Sequence, residues 1–401
     1  SKLNIIYACS LSCFILALLS KEASLIFPFL ILTYCLKDYD EEILRIKFSY
    51  FIDFSIIAAI YLLIRVFVLD FLQTTTFSSS GIPLFTRLVV SCKAFMHYLG
   101  FVIFPFNLHM ERHLETKGSL FEPDIWISLI LIVVFIVLTL KLVKKSRMIS
   151  FGIAWFIITL LPTSGIFPIN AFIAEHWLYM PLIGLSLAVS GCITQLKDRK
   201  YLKTMYVIFI FVLVVLGFLS IRQNTVWKDK ETLYKYILKF NPQSSRTHFN
   251  LGSAYVEKNL GELAIAEFKI AIELNPDYVD AYVNLGYSYQ KNGETAEAAQ
   301  IFKKAIGVAP KSHLPYYYLA NLYQDINKLP EAIELYKKAL SIKSINPNIC
   351  FDIARAYDKT VATDAAINAY QKTIKLDPFY IDAYVNLGAL LAQQGRFEEA
   401  R

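Results

Sequence analysis

Prolines at 242, 276, 310 and 378 stand 34, 34 and 68 residues apart, with Ser344 in the slot between the last two. A chain that repeats at such a period builds a row of like units, because each unit buries its apolar face only against the next. Proline stops a helix, since it lacks the N–H that the carbonyl of the preceding turn would accept. The period predicts a pair of antiparallel helices per unit from residue 223 onward, stacked as an α-solenoid.

The units align in one register. The first places Leu251, Gly252, Tyr255, Ala264, Phe268 and Ala271 before Pro276, and the second places Tyr282, Leu285, Gly286, Tyr289, Ala298, Phe302 and Ala305 before Pro310. The third has Tyr316, Leu319, Ala320, Tyr323, Ala332, Tyr336 and Ala339. The fourth has Ile353, Ala354, Tyr357, Ala366 and Tyr370, with Thr373 where the others carry Ala. The fifth repeats residues 280–286, Asp-Ala-Tyr-Val-Asn-Leu-Gly, at 382–388. Small residues belong where two helices cross closely, and aromatics fill the gaps between neighbours. This register resembles the tetratricopeptide repeat. It divides 223–401 into a half repeat at 228–244, full repeats at 245–278, 279–312, 313–346 and 347–380, and a partial one at 381–401. Stacked repeats offer a concave groove that takes a peptide or partner protein. Asn250, Asn284 and Asn386 share one position in their first helices, where each amide offers a donor and an acceptor to a peptide backbone. The alternative is that these side chains cap or pack between helices. Tyr318 and Asp352 interrupt the row.

Residues 1–222 are of another kind. The chain as a whole is 56% hydrophobic and 18% charged, against about 45–50% and about 25% in soluble domains. Only 32 of the charged residues precede position 223, so the apolar excess is concentrated there. Runs of the length a bilayer needs cover 49–69, 125–143, 149–167, 177–194 and 204–221. Residues 3–36 read as a hairpin of two helices broken at Lys21-Glu22. Residues 88–106 carry Lys93 and His97 one turn apart and are expected to dip into the membrane or lie in the interface. Lys and Arg gather at 37–48, 141–147 and 197–203, while 165–176 has none. If 88–106 does not cross, all three basic loops are cytoplasmic. Seven spans then place 70–123, 165–176 and the repeats on the non-cytoplasmic side. The expected fold is all-α: a polytopic helical membrane domain followed by a tetratricopeptide α-solenoid. The basic residues form no stripe with interleaved aromatics, which argues against nucleic acid. The six cysteines show neither a disulfide framework nor zinc spacing, and no metal is expected.

That topology gathers Arg65, His109, Glu111, Arg112, His113, Glu175 and His176 at the outer face. A charge in or beside a span is costly and needs a reason. One reason is snorkelling or an ion pair that orients helices. The other is a cleft for an anionic lipid headgroup, since the planar arginine fork suits phosphate.

The strings Leu19-Ser20-Lys21-Glu22, Thr86-Arg87-Leu88, Thr159-Leu160-Leu161-Pro162-Thr163-Ser164 and Ala174-Glu175-His176-Trp177-Leu178-Tyr179-Met180-Pro181 resemble the transmembrane and tetratricopeptide repeat-containing family. That resemblance implies a GT-C glycosyltransferase, similar to protein O-mannosyltransferases. Such an enzyme takes mannose or a related hexose from a polyprenyl-phosphate donor to Ser or Thr hydroxyls of an acceptor protein. It would sit in the cell membrane of a prokaryote or the endoplasmic reticulum membrane of a eukaryote. No cofactor is expected beyond the polyprenyl-linked donor. On this reading Arg65, Arg112 and His176 serve the donor phosphate, Lys21 and Glu22 form a structural ion pair or a second contact near it, and Glu175 orients His176 or the acceptor. Within these residues Glu175 and His176 are the catalytic candidates. Two departures stand out. His176 takes a place where the family often has Arg, and the family's acidic base would lie upstream of Ser1. The alternative is a non-catalytic membrane scaffold whose repeats dock partner proteins.

Overall fold

The computed structural model describes residues 2–20, 22–35, 41–67, 83–106, 108–109, 122–163, 173–196 and 198–400. All regular structure among them is helical. The chain divides into two compact units, Ser1–Thr225 and Val226–Arg401.

In the first unit the helices are α1 (Lys2–Ser20), α2 (Phe27–Cys35), α3 (Glu41–Phe67), α4 (Leu84–Ile103), α5 (Pro123–Leu142), α6 (Arg147–Leu160), α7 (Tyr179–Thr194) and α8 (Arg199–Val226). Among the described residues four helical stretches are long and apolar enough to cross a bilayer: Phe85–Ile103, Pro123–Leu142, Glu175–Thr194 and Lys200–Val226. The other apolar helices are shorter, at Ile6–Ser20, Ser24–Thr33, Phe48–Ile64 and Arg147–Leu160. The run read as 149–167 therefore ends early as a helix. Pro162 has no N–H to continue the ladder, and Leu161–Thr163 tightens into a 3-10 turn. The hairpin at 3–36 is present as α1, a 3-10 turn at Glu22–Ile26 and α2.

The helix over the doubtful 88–106 segment is unbroken. Its middle, and not its end, meets the start of α5: Ser128 Oγ donates to the Cys92 carbonyl at 2.6 Å, and Lys93 pairs with Glu122. Apolar side chains face outward all round α8, and on α5 everywhere but the stripe that meets α4 and α6, which water does not tolerate and lipid does. The tightest seam is between α6 and α7. A Cβ on Gly152 would lie 2.5 Å from the Ala188 nitrogen, and one on Gly184 would lie 2.6 Å from the Gly152 oxygen. Small residues let these backbones touch, as membrane helices do to gain packing without a hydrophobic drive.

In the second unit α9 (Lys230–Leu238) is the half repeat, capped by Asp229, whose side chain accepts the Thr232 N–H. Five pairs follow: α10 (Ser245–Glu257) with α11 (Gly261–Leu274), α12 (Val279–Lys291) with α13 (Thr295–Val308), and α14 (His313–Asp325) with α15 (Leu329–Ile342). Then come α16 (Pro347–Lys359) with α17 (Thr363–Leu376), and α18 (Ile381–Gln393) with the short α19 (Phe397–Ala400). The register read from sequence is the packing register. Phe268, Phe302, Tyr336 and Tyr370 are fully buried at one offset, and Ala264, Ala298, Ala332 and Ala366 at another. Gly252 and Gly286 lie flat against the rings of Phe268 and Phe302. Successive first helices also approach one another, which puts them on the inside of the curve.

Candidate functional site

Glu175 opens the 3-10 turn Glu175–Leu178 that leads into α7. Its Oε1 accepts the backbone N–H of His109 at 2.7 Å, joining residues 66 apart in the chain. The same corner is fastened twice more. The Ala174 N–H donates to the Tyr98 hydroxyl at 3.3 Å, and Gln223 Nε2 donates to the Leu108 carbonyl at 2.9 Å. Beneath it Phe95, Tyr98, Phe156, Leu160, Ile173 and Leu178 form one buried cluster. A carboxylate at the rim of apolar helices is thus held in place by backbone. His109 is buried, whereas His176 is exposed, with its ring edge-on to Trp177 at 5.7 Å. So the structure unites two of the residues grouped from charge alone, His109 and Glu175, and leaves His176 beside them at the surface. Arg65 and Glu22 lie in α3 and in the 3-10 turn, with side chains outside the described set. Lys21, Glu111, Arg112 and His113 are outside the described residues altogether.

Two polar arrangements in this unit escaped the sequence reading. Lys93, the partner of Glu122, lines a cavity of about 350 Å³ with Met96, His97, Gly100, Phe101 and Asp124. In the other, the Tyr7 hydroxyl on α1 donates to Asp53 on α3, within otherwise apolar surroundings. Asp53 sits at the apolar centre of its helix, and that placement was the available signal.

The groove of the second unit is lined by first helices. Asn284 donates its amide to the Asp280 carbonyl one turn back, and the Asn386 amide faces the Tyr370 hydroxyl. Asn250 is half-buried. The interrupting residues carry the denser chemistry. The Tyr317 hydroxyl donates to Asp352 Oδ2 at 2.7 Å, Arg355 reaches Asp352 Oδ1 at 3.3 Å, and Gln290 donates to Asp325 at 2.7 Å. Burial pushes the Asp352 carboxyl above the ordinary carboxylate range, and burial with nearby carboxylates lifts the Tyr370 hydroxyl to about 12.

Residues 259–293 and 362–395 match the family described as TPR repeat, and 279–312 and 316–344 match families described as tetratricopeptide repeat. Fold and repeats define an all-α protein in which tetratricopeptide repeats follow an apolar helical unit. In particular, the chain is similar to the human Protein O-mannosyl-transferase TMTC1, 24% identical over 216 residues, which is 48% of this chain and 24% of that protein. It is also similar to the human Protein O-mannosyl-transferase TMTC4, 24% identical over 30% of this chain and 17% of that protein. The Drosophila melanogaster Protein O-mannosyl-transferase Tmtc3 is 26% identical over 32% of this chain and 14% of its own length. The chain therefore spans a quarter or less of each of these relatives. Among solved structures it is similar to MamA, with 27% identity and a TM-score of 0.35 over 37% of this chain and 88% of that one. It is likewise similar to a thermophilic tetratricopeptide repeat protein of Thermus thermophilus, with 22% identity and a TM-score of 0.36 over 40% and 89%.

Proposed function

We propose that the protein is a membrane glycosyltransferase that moves mannose or a related hexose from a polyprenyl-phosphate donor to Ser or Thr hydroxyls of a protein, with the repeats holding that acceptor. The observation that carries this reading is the backbone-anchored carboxylate of Glu175 at the rim of the apolar helices. The similarity to protein O-mannosyl-transferases supports it. An alcohol attacks an anomeric carbon readily when a base within about 2.6–3.2 Å of its oxygen takes its proton. The departing phosphate gains charge, and fixed cations lower the barrier by meeting it. Arg65, Arg112 and His176 are assigned to that phosphate, with Lys21 and Glu22 beside the headgroup. Glu175 sets the position of the 108–109 segment and of the turn that carries His176.

In the same reading α4 lies along the outer interface. Its middle meets the first turns of α5, whereas two full antiparallel spans would pair end to end. The repeats then fall on the non-cytoplasmic side. A second reading, a scaffold without catalysis, is favoured by one observation: the groove network around Asp352 is already assembled in the chain itself.

The test is transfer of labelled hexose from its polyprenyl phosphate to a Ser/Thr peptide by membranes containing the protein. Glu175→Gln keeps an oxygen to accept the His109 N–H and removes the charge, and His176→Ala removes the ring. Each is expected to lower transfer by about tenfold or more at equal protein level, a loss of about 1.4 kcal/mol in transition-state stabilisation. Transfer unchanged in both variants would remove these residues from the site, and no transfer from any polyprenyl sugar would leave the scaffold.

A further inference from the structure

The inner face of the later repeats carries a charge pattern of its own. Helices α12, α14, α16 and α18 hold Asp280, Asp325, Asp352, Asp358 and Asp382, no Glu, and as basic residues Lys291, Arg355 and Lys359, with His313 at the start of α14. The charged groups felt by the Tyr336, Tyr370 and Tyr380 hydroxyls are Asp325, Asp352, Asp358, Asp377 and Asp382 against one cation, Arg355. Four of these five carboxylates are exposed, but Asp352 is not an ordinary solvated one: its side chain is 15% exposed and Tyr317 holds it.

Aromatic rings lie beside these carboxylates. Tyr317 and Tyr318 meet at 5.4 Å, Tyr287 and Tyr318 at 6.5 Å, and Phe351 and Tyr380 at 4.9 Å. The chain already uses two of the rings to hold cations: Lys291 sits 5.7 Å from the Tyr287 centroid, and Arg355 sits 5.9 Å from that of Phe351. Ring faces and carboxylates attract the same kind of group, a cation with an apolar stem. The bonds from Tyr317, Arg355 and Gln290 leave acceptor capacity on Asp325 and Asp352, since a carboxylate offers about four lone-pair sites.

We propose that the inner face of repeats three to five takes an extended polypeptide through a Lys or Arg side chain, seated between Asp325 and Asp352 beside Tyr317. The proposal rests on the reading that the repeats hold a protein segment, and it adds what that segment must carry. Asparagines at the shared position would select no side chain, whereas this cluster selects by charge.

The experiment uses the whole protein in detergent and fluorescein-labelled Ser/Thr/Val peptides of about nine residues with Lys, norleucine or Glu at the centre, read by fluorescence anisotropy. The Lys peptide is expected to bind about tenfold more tightly than the norleucine peptide, and the Glu peptide more weakly still. Asp325→Asn, at an exposed site, and Asp352→Asn, which keeps an acceptor for Tyr317, should each shrink that advantage to about threefold or less and leave the norleucine peptide unaffected. Salt should weaken the Lys peptide selectively. Equal binding of the Lys and norleucine peptides, or a preference that survives both substitutions, overturns charge selection and leaves the acceptor groove standing. Binding of none of the peptides overturns both.

Discussion

Each repeat turns from its first helix into its second through a residue with positive φ: Asn259, Gly293, Asn327, Val361 and Gly395. Glycine and asparagine tolerate that conformation, but a β-branched residue does not. Val361 stands at φ 58 and is 84% exposed, so it bears the backbone strain without packing in return. Val361→Gly should stabilise the repeats by about 1 kcal/mol, the left-handed strain of about 1–2 kcal/mol less the entropy of glycine. Thermal unfolding followed by circular dichroism checks it, and a lower melting temperature would contradict the strain. A second residue-scale expectation concerns Asp352, whose carboxyl is raised by burial. A carboxyl with a higher pKa in the fold than in the unfolded chain costs stability while ionised. That cost disappears as pH falls through the raised value toward about 4. Asp352→Asn should therefore be the more stable form at pH 7 and lose its advantage near pH 4, as urea titrations at both pH values would record. If the cation proposal holds, the same substitution weakens peptide binding, so one carboxylate trades stability for recognition.

At the scale of elements, the seam between α6 and α7 is the least forgiving place in the first unit. Gly184→Ala puts a methyl 2.6 Å from the Gly152 oxygen and 2.7 Å from the Phe156 nitrogen, and backbone cannot yield as a side chain can. It should lower the melting temperature in detergent by several degrees, whereas Gly217→Ala on α8, with nothing near its would-be Cβ, should change little. Equal effects would show that the two helices are not in close contact. The register of the repeats was legible because one pattern recurs five times and each copy checks the others. The first unit was legible only as apolar runs, since hydropathy does not show where Pro162 ends a helix or that Lys93 finds Glu122. The site was readable in part. Charge parity put His109 and Glu175 on one side, but their contact joins a backbone N–H to a carboxylate, and composition says nothing of backbone. In the groove, Asp352 read as a break in the asparagine row, because a sequence position does not reveal that Tyr317 and Arg355 converge on it.

At the scale of the whole molecule, sidedness is the expectation most open to direct test. Cys350 cannot report it, being 1% exposed with its thiol pushed up by burial. A single cysteine at the exposed position of Lys311, in an otherwise cysteine-free chain, can. An impermeant maleimide should label it on intact cells or, if the membrane is internal, only after sealed vesicles have been opened. Protection where the non-cytoplasmic side is reachable would place α4 across the bilayer and the repeats in the cytoplasm.

The helix α8 has none of its most apolar window buried by the rest of the chain, although Gln223 near its end is tied to Leu108. Among the described residues nothing covers most of its side chains, and a lipid environment does not distinguish one branched hydrocarbon from another. Sequence drift along this helix should be limited by length and oiliness alone, while a single methyl is already too much at Gly152 or Gly184 a few ångströms from its neighbours. Homologues of this chain should accordingly vary most freely between 205 and 221 and hold nearly still where α6 crosses α7.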